Sequence, residues 1–413
     1  MYSYHVKEMV YVSSCRKTLL KFGVLLVLLS MIVTVSILPQ LLNKDVNLFP
    51  RHARFPTDLK YILFWTPLSN SKNSDHGSSP KYPIGQNIFI KQNCPYINCY
   101  LTYNKSLLKR EQDFDAIIFN GEDINKYDKE DLQLRRSQYQ KYIFKSLESS
   151  EKNPVCDPMY DDFFNWTWTY KLDSDIPSPF FNIYDDKNKL VGPKKDMKWV
   201  EKMKHNDRYK SLIKNKDKAV MWIIPKCKVK NKHQDFIREL KDELKSYNYT
   251  IDTYGTCGKN KCPEGKISKC YKIMEKRYFF QLDFEETFAE DYINERIVKT
   301  LTHLAIPIVL GGADYTRFLP PGSYINTQIF DMKKLCAIID YLIKNPNMYE
   351  YFFDWKNHYY YAPKSKSYIC DLCSKLNNNS AVKKSYAEFR QWWNPDYKDA
   401  CQRMQLLSLF RNK

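Results

Sequence analysis

Between Tyr278 and Phe330 the chain gathers carboxylates, a cation and the start of a helix within a few residues of one another. The aromatic run Tyr278, Phe279, Phe280 and Leu282 leads into a loop rich in carboxylates that includes Glu285, and Tyr292, Glu295 and Arg296 follow. A carboxylate can take a proton or grip a hydroxyl. A fixed guanidinium beside the unsatisfied amides of a helix start makes a seat for phosphate. The spacing predicts elements that would position this chemistry. The aromatic run reads as a buried strand. Asp291 stands where an N-cap belongs, ahead of Ile293, Ile297, Thr300 and Leu301 at helical spacing. Ala305-Ile-Pro-Ile-Val-Leu310, stopped by Gly311-Gly312, suits a parallel strand covered on both faces. Strand, loop, helix and strand form a βαβ unit, and such sheets bind ligands where strand carboxyl ends meet helix amino ends. The expectation is a site for a phosphate-bearing ligand.

The order of residues resembles the signature of the α1,3-fucosyltransferases, glycosyltransferase family ten. Its F-x-L-x-F-E-N-S, D-Y-V-T-E-K, P-V-V-x-G, Y-x-x-F and P-x-S-F-I elements stand here in one register. They read Phe280-Gln-Leu-Asp-Phe-Glu-Glu-Thr287, Asp291-Tyr-Ile-Asn-Glu-Arg296, Pro307-Ile-Val-Leu-Gly311, Tyr315-Thr-Arg-Phe318 and Pro321-Gly-Ser-Tyr-Ile325. Further matches are Phe164-Asn-Trp-Thr-Trp-Thr-Tyr-Lys-Leu-Asp-Ser-Asp175, the Tyr249–Gly258 segment, Trp355-Lys-Asn-His-Tyr and Cys370-Asp-Leu-Cys373. The chain is similar to a divergent, invertebrate-like member.

That resemblance implies an α/β GT-B fold: two Rossmann-like domains facing a cleft, the acceptor side first and the GDP-fucose side second. It implies a Golgi α1,3-fucosyltransferase that moves fucose from GDP-fucose to a GlcNAc of an N-glycan or other glycoconjugate, with inversion. Glu148, at the end of the strand Tyr142–Glu148, corresponds to the catalytic base. Donor-binding roles carry over to Tyr292, Glu295, Arg296, His233, Lys226 and Glu285, with Glu295 assigned to the ribose hydroxyls because two anions repel. GDP-fucose is the donor substrate and no cofactor is required. Asp173-x-Asp175 invites a Mn²⁺ reading, but no third ligand accompanies it, so no bound metal is expected even if Mn²⁺ stimulates. Trp166, Trp168 and Tyr170 are expected in the core.

The whole chain agrees with this setting. Its 413 residues suffice for two domains, and 43% apolar and 15% aromatic content exclude general disorder. A formal charge of +18 favours anionic partners, but no nucleic-acid module signature is present. Twelve cysteines and N-x-S/T sequons at Asn104, Asn165, Asn248 and Asn378 point to an oxidising lumen. The uncharged Phe22–Leu38 stretch, with Leu19 and Leu20, is long enough to span a bilayer behind Arg16, Lys17 and Lys21. The expectation is a single-pass type II Golgi membrane protein with a cytoplasmic tail at 1–18, a transmembrane signal anchor at 19–38 and a stem at 39–60. The acceptor-side domain then runs 61–205, the donor domain 206–362 and a cysteine-bearing tail 363–413.

With Cys15 on the reducing side, eleven cysteines face the lumen, so at least one is unpaired, and Cys336 in the amphipathic run Met332–Ile343 is the candidate. Cys94, Cys99, Cys370 and Cys373 are expected to form two disulfides in one of three pairings. Cys257, Cys262 and Cys270 are further candidates.

Several positions depart from the family pattern. His233 stands for an arginine, Arg296 for a lysine, Glu286 for an asparagine, Lys226 for an asparagine and Lys171 for an arginine. A neutral imidazole holds a diphosphate less well than a guanidinium, and Glu286 adds an anion near it. The alternative reading is a catalytically weak or inactive relative that binds glycan at the membrane.

Overall fold

The structure, a computed structural model, describes residues 58–65, 82–127, 132, 136–224, 234–364, 368–378 and 385–411. The expected tail, membrane span and most of the stem lie outside these residues, as do Lys226 and His233. Among the described residues no helix is long and apolar enough to cross a membrane.

Two five-stranded parallel sheets carry the chain. The first runs β2(Cys99–Thr102)-β1(Lys60–Phe64)-β3(Ala116–Asn120)-β4(Lys141–Ser146)-β5(Trp166–Thr169). Its central strand, AIIFN, is buried at every position, as a parallel sheet covered on both faces requires. Alternation divides the core: Ile62, Ile118, Ile143 and Trp168 pack on one face. Leu63, Ile117, Phe119, Tyr142 and Phe144 pack on the other. Trp166, Trp168 and Tyr170 are core residues, as expected.

The second sheet has the order β12(Ile325–Asn326)-β11(Ile306–Leu310)-β10(Tyr278–Phe284)-β8(Lys218–Ile223)-β9(Ile251–Tyr254). Helices Gln234–Ser246, Ile267–Arg277 and Arg296–Thr302 make its crossovers. The first of these buries Ile237, Leu240 and Leu244, one apolar stripe at helical spacing. A small antiparallel sheet, β13(Tyr359–Pro363)-β6(Phe181–Asp185)-β7(Leu190–Gly192), joins late and early parts of the chain. Two parallel α/β sheets fit the expected GT-B-like fold.

The carboxyl-terminal segment returns to the first sheet. Cys94–Cys370 and Cys99–Cys373 are the disulfides formed by the four expected cysteines. Phe389 and Trp393 stack edge-on against Phe144, with centroids 4.8 and 4.9 Å away. Cys156–Cys401, absent from the expected set, ties the last helix to the same domain. Cys262 pairs with Cys270, and Cys257 is disulfide-bonded. Among the described residues Cys336 is the free, buried thiol, as its place on an amphipathic helix predicts.

One sequon expectation is overturned. Asn104, Asn248 and Asn378 are exposed. Asn165 is 3% exposed, and its amide oxygen accepts the Tyr142 N–H at 3.0 Å. A glycan cannot be accommodated there in the folded chain.

Candidate active site

The two sheets meet at the carboxyl ends of β4 and β10. The loop after β4 carries Glu148 to Lys152, and the loop after β10 carries Glu285 to Glu295. Polar ties cross this seam: Lys152 Nζ lies 2.6 Å from Glu286, and the Phe288 N–H donates to Glu151 at 2.9 Å. Lys171, 2% exposed, pairs with Glu290 at 3.0 Å and donates to the Trp392 carbonyl at 2.6 Å. Ala289 and Tyr292 enter the apolar cluster of the first domain. The Tyr292 ring meets Tyr170 edge-on at 5.0 Å.

Asp291 does not cap a helix. The helix starts at Arg296, and Glu295 at its cap makes no side-chain cap hydrogen bond. Asp291 is 2% exposed with φ +58°. Its carboxylate accepts the Leu172 N–H at 3.0 Å and pairs with Arg317 at 3.1 Å. The turn is therefore a buried interdomain tie. The amides expected to be open to an anion are satisfied inside the loop. Tyr292 N–H reaches Ala289 O at 3.3 Å, Asn294 N–H reaches Glu285 Oε1 at 2.8 Å, and Arg296 N–H reaches Asn294 Oδ1 at 3.0 Å. The expected amide seat gives way to a site built on the Arg296 side chain.

Arg296 stands between two cavities. The larger, about 730 Å³, opens at the carboxyl ends of β8 and β10 and is lined by Ile224, Gln234, Arg238, Thr253, Glu286 and Arg296. That volume falls in the range of small-molecule sites. The smaller, about 380 Å³, is lined by Tyr271, Asp283, Glu285, Glu295 and Arg296. Ile224 and Gln234, on the larger cavity's wall, flank residues 225–233 that contain Lys226 and His233.

Burial governs the protonation of these carboxyls. It pushes Asp283 up to about 7, against the pull of Thr300 and Arg296. Burial likewise raises Glu285, while Arg296 and the Asn294 N–H hold it down. Close packing here needs Gly311 and Gly312. A Cβ at Gly312 would stand 1.8 Å from the Phe288 carbonyl oxygen, and one at Gly311 would stand 2.8 Å from the Tyr315 hydroxyl. The glycine pair that stops β11 thus admits the carboxylate loop alongside it.

Glu148 is half-buried just beyond β4, on a turn where the Ser146 hydroxyl donates to its carbonyl at 3.2 Å. Burial raises the Tyr292 hydroxyl well above its ordinary value, and the neighbouring Glu148 and Glu285 charges add to this. The seam thus brings Glu148, Tyr292, Glu285 and Arg296 into one neighbourhood, while Glu295 is exposed at its edge. A carboxylate delivered from one sheet and a guanidinium from the other can serve opposite ends of a transfer: proton removal and support of a departing anion.

Asp173 and Asp175 serve the fold. Asp173 accepts Trp392 Nε1–H at 3.0 Å; Asp175 accepts the Tyr386 hydroxyl at 2.9 Å and the Thr167 N–H at 3.0 Å. Sequence reasoning missed Lys152 and Arg317, which neutralise Glu286 and Asp291. Lys152 lies in no motif, and Arg317 stands at an unspecified position of the Tyr315-Thr-Arg-Phe318 match, which gives it no role.

The profile described as glycosyltransferase family 10 (fucosyltransferase) C-term matches residues 213–392. That described as fucosyltransferase, N-terminal matches residues 57–181. Alpha-(1,3)-fucosyltransferase C of Drosophila melanogaster is 28% identical over 89% of this chain and 87% of its own length. Glycoprotein 3-alpha-L-fucosyltransferase A of the same organism is 28% identical over 75% of this chain and 57% of its own length. A crystal structure of alpha1,3-fucosyltransferase with GDP-fucose aligns at 15% identity and TM-score 0.44 over 79% of this chain and 93% of that one. The two profiles between them span most of the described residues, and the chain belongs to glycosyltransferase family 10, the α1,3-fucosyltransferases.

Proposed function

We propose that the protein transfers fucose from GDP-fucose to a GlcNAc hydroxyl of a glycoprotein glycan, in α1,3 linkage and with inversion. The acceptor O–H gives its proton to Glu148 as the oxygen bonds the fucose anomeric carbon. The bond from that carbon to the diphosphate oxygen breaks on the opposite face, and GDP leaves with the electron pair. Arg296 supports the charge that develops on GDP. Glu295, on the wall of the smaller cavity beside Arg296, takes the ribose hydroxyls.

One observation carries this reading: Glu148, from the first sheet, acts electrostatically on Tyr292 of the loop that leads to Arg296 and the cavities of the second. Glu148 and Arg296 therefore come from opposite sides of one seam, which supports a direct displacement. The inactive-relative reading rested partly on Glu286 as a bare anion. Its pairing with Lys152 removes that objection.

The uncharged Phe22–Leu38 stretch, with Arg16, Lys17 and Lys21 ahead of it, supports a type II anchor in the Golgi membrane. The test is transfer of labelled fucose from GDP-fucose to GlcNAc-terminated N-glycans, with GDP binding by calorimetry. Transfer to such acceptors, with a GDP Kd weakened at least tenfold in Arg296→Ala, supports the proposal. Absence of both transfer and GDP binding overturns it.

A further inference from the structure

We propose that His205, Asp207 and Glu350 hold a divalent transition-metal ion of the zinc class, fastening the chain at the boundary of the two domains to residues 350–358. The site is remote in sequence from the donor motif and independent of the fucosyl-transfer reading.

One ligand atom from each of the three residues lies within 4.8 Å of the others. His205 Nε2 is 3.5 Å from Asp207 Oδ1. In a tetrahedral zinc site, bonds of about 2.0–2.1 Å place neighbouring ligand atoms about 3.3 Å apart, so little movement is required. The imidazole is already oriented. His205 Nδ1 lies 2.9 Å from Asp354 Oδ1, so Nδ1–H donates to that carboxylate and Nε2 is turned toward Asp207. A carboxylate behind the distal nitrogen is the usual support of a metal-bound histidine. The Tyr351 ring, 4.4 Å from the imidazole centroid, limits its swing.

Glu350 supplies the independent sign of a ligand. It is 2% exposed, and its Oε1 is buried without a hydrogen-bond partner. A carboxylate oxygen left bare in the interior is costly, and a cation is the group that relieves it. The surroundings explain what the ion would do. Lys204 N–H donates to His358 Nε2 at 2.9 Å, Asn357 Nδ2 donates to the Lys204 carbonyl at 2.8 Å, and Asn206 Nδ2 donates to Asn357 Oδ1 at 2.7 Å. Polar bonds and the His205–Tyr351 ring contact thus clasp this stretch, and a metal would make the clasp rigid.

The donor set selects the ion. One imidazole nitrogen and two carboxylates, with water as the fourth ligand, suit zinc. Calcium takes six to eight oxygens and magnesium a near-octahedral oxygen shell.

The full chain, stripped with a chelator, would be dialysed against Zn²⁺ and its bound metal measured by mass spectrometry, with thermal unfolding in parallel. The expected result is one zinc per chain, a higher unfolding temperature with zinc, and loss of both in His205→Ala and Glu350→Gln. Asp354→Asn should weaken the affinity ten- to a hundredfold. Asp207→Asn, a change at the surface, keeps the test valid if the buried Glu350 variant misfolds. No retained zinc would overturn the proposal and leave an ion-free hydrogen-bonded cluster. Equal retention by His205→Ala and Asp207→Asn would overturn it too.

Discussion

Replacing Glu148 by Gln preserves size and removes the proposed base. Loss of a positioned general base lowers the chemical step by about 10²–10⁴-fold, or about 3–5 kcal/mol of barrier. GDP binding should respond differently, because Glu148 is not among the residues lining either cavity. Its only claim on the donor is Coulombic. For like unit charges ~10 Å apart at an effective dielectric of ~40, that repulsion is about 0.8 kcal/mol. Removing it can tighten GDP by no more than about fourfold and cannot weaken it. The assay is single-turnover transfer of labelled fucose at saturating GDP-fucose, with GDP titrated calorimetrically on the same preparations. The reasoning fails if Glu148→Gln retains transfer within tenfold of the parent. It fails equally if GDP affinity falls along with transfer, since Glu148 would then be holding the seam together rather than taking a proton.

Asp283, raised by burial to about 7 from an ordinary 3.8, binds its proton more tightly in the folded state, so its contribution to stability is present below pH 4 and lost as pH rises toward 7. Asp283→Asn should therefore unfold at higher denaturant than the parent at pH 8, by at most about 4 kcal/mol, and match it at low pH; equal midpoints at pH 8 would refute this. Cys94–Cys370 and Cys99–Cys373 close loops of 276 and 274 residues, so either bond alone holds nearly the same constraint. Losing one should cost little, and losing both up to about 5 kcal/mol in urea unfolding, a non-additivity whose absence would contradict the pairing. Glycopeptide mass spectrometry should find Asn104, Asn248 and Asn378 open to modification and Asn165 bare. Asn165→Gln should destabilise the chain by about 1–2 kcal/mol, because the Tyr142 N–H loses its acceptor.

What could be read from the letters, and what could not, divides by how far apart partners lie along the chain. Strands such as Ala116–Asn120 and Ile306–Leu310 announce themselves because burial on both faces demands an unbroken apolar run, a local signal. Cys336 was readable for the same reason: its helix shows its buried face in its own periodicity. Asp291 misleads because N-cap preference is also local, whereas its actual partner, Leu172, is 119 residues away. Lys152 and Glu286 are 134 residues apart, and Cys156 and Cys401 are 245 apart. No window of sequence joins such pairs, yet the seam around the site consists of them.

The same distance changes how departures from the family pattern are judged. Glu286, taken alone, sets an anion beside a diphosphate; with Lys152 arriving from the other sheet at 2.6 Å, the pair adds almost no net charge. Lys171 keeps a cation where an arginine stood, and its ammonium is consumed by Glu290 and the Trp392 carbonyl, so it holds the two domains in register. A substitution inside the motif therefore has its meaning in residues outside it. Removing Arg317 should disturb the Glu285–Glu295 loop as much as removing Asp291, because it strands the buried Asp291 carboxylate in a place that water cannot readily reach. Lys152, which no motif contains, pairs with a Glu286 that water still reaches, so its removal should cost less.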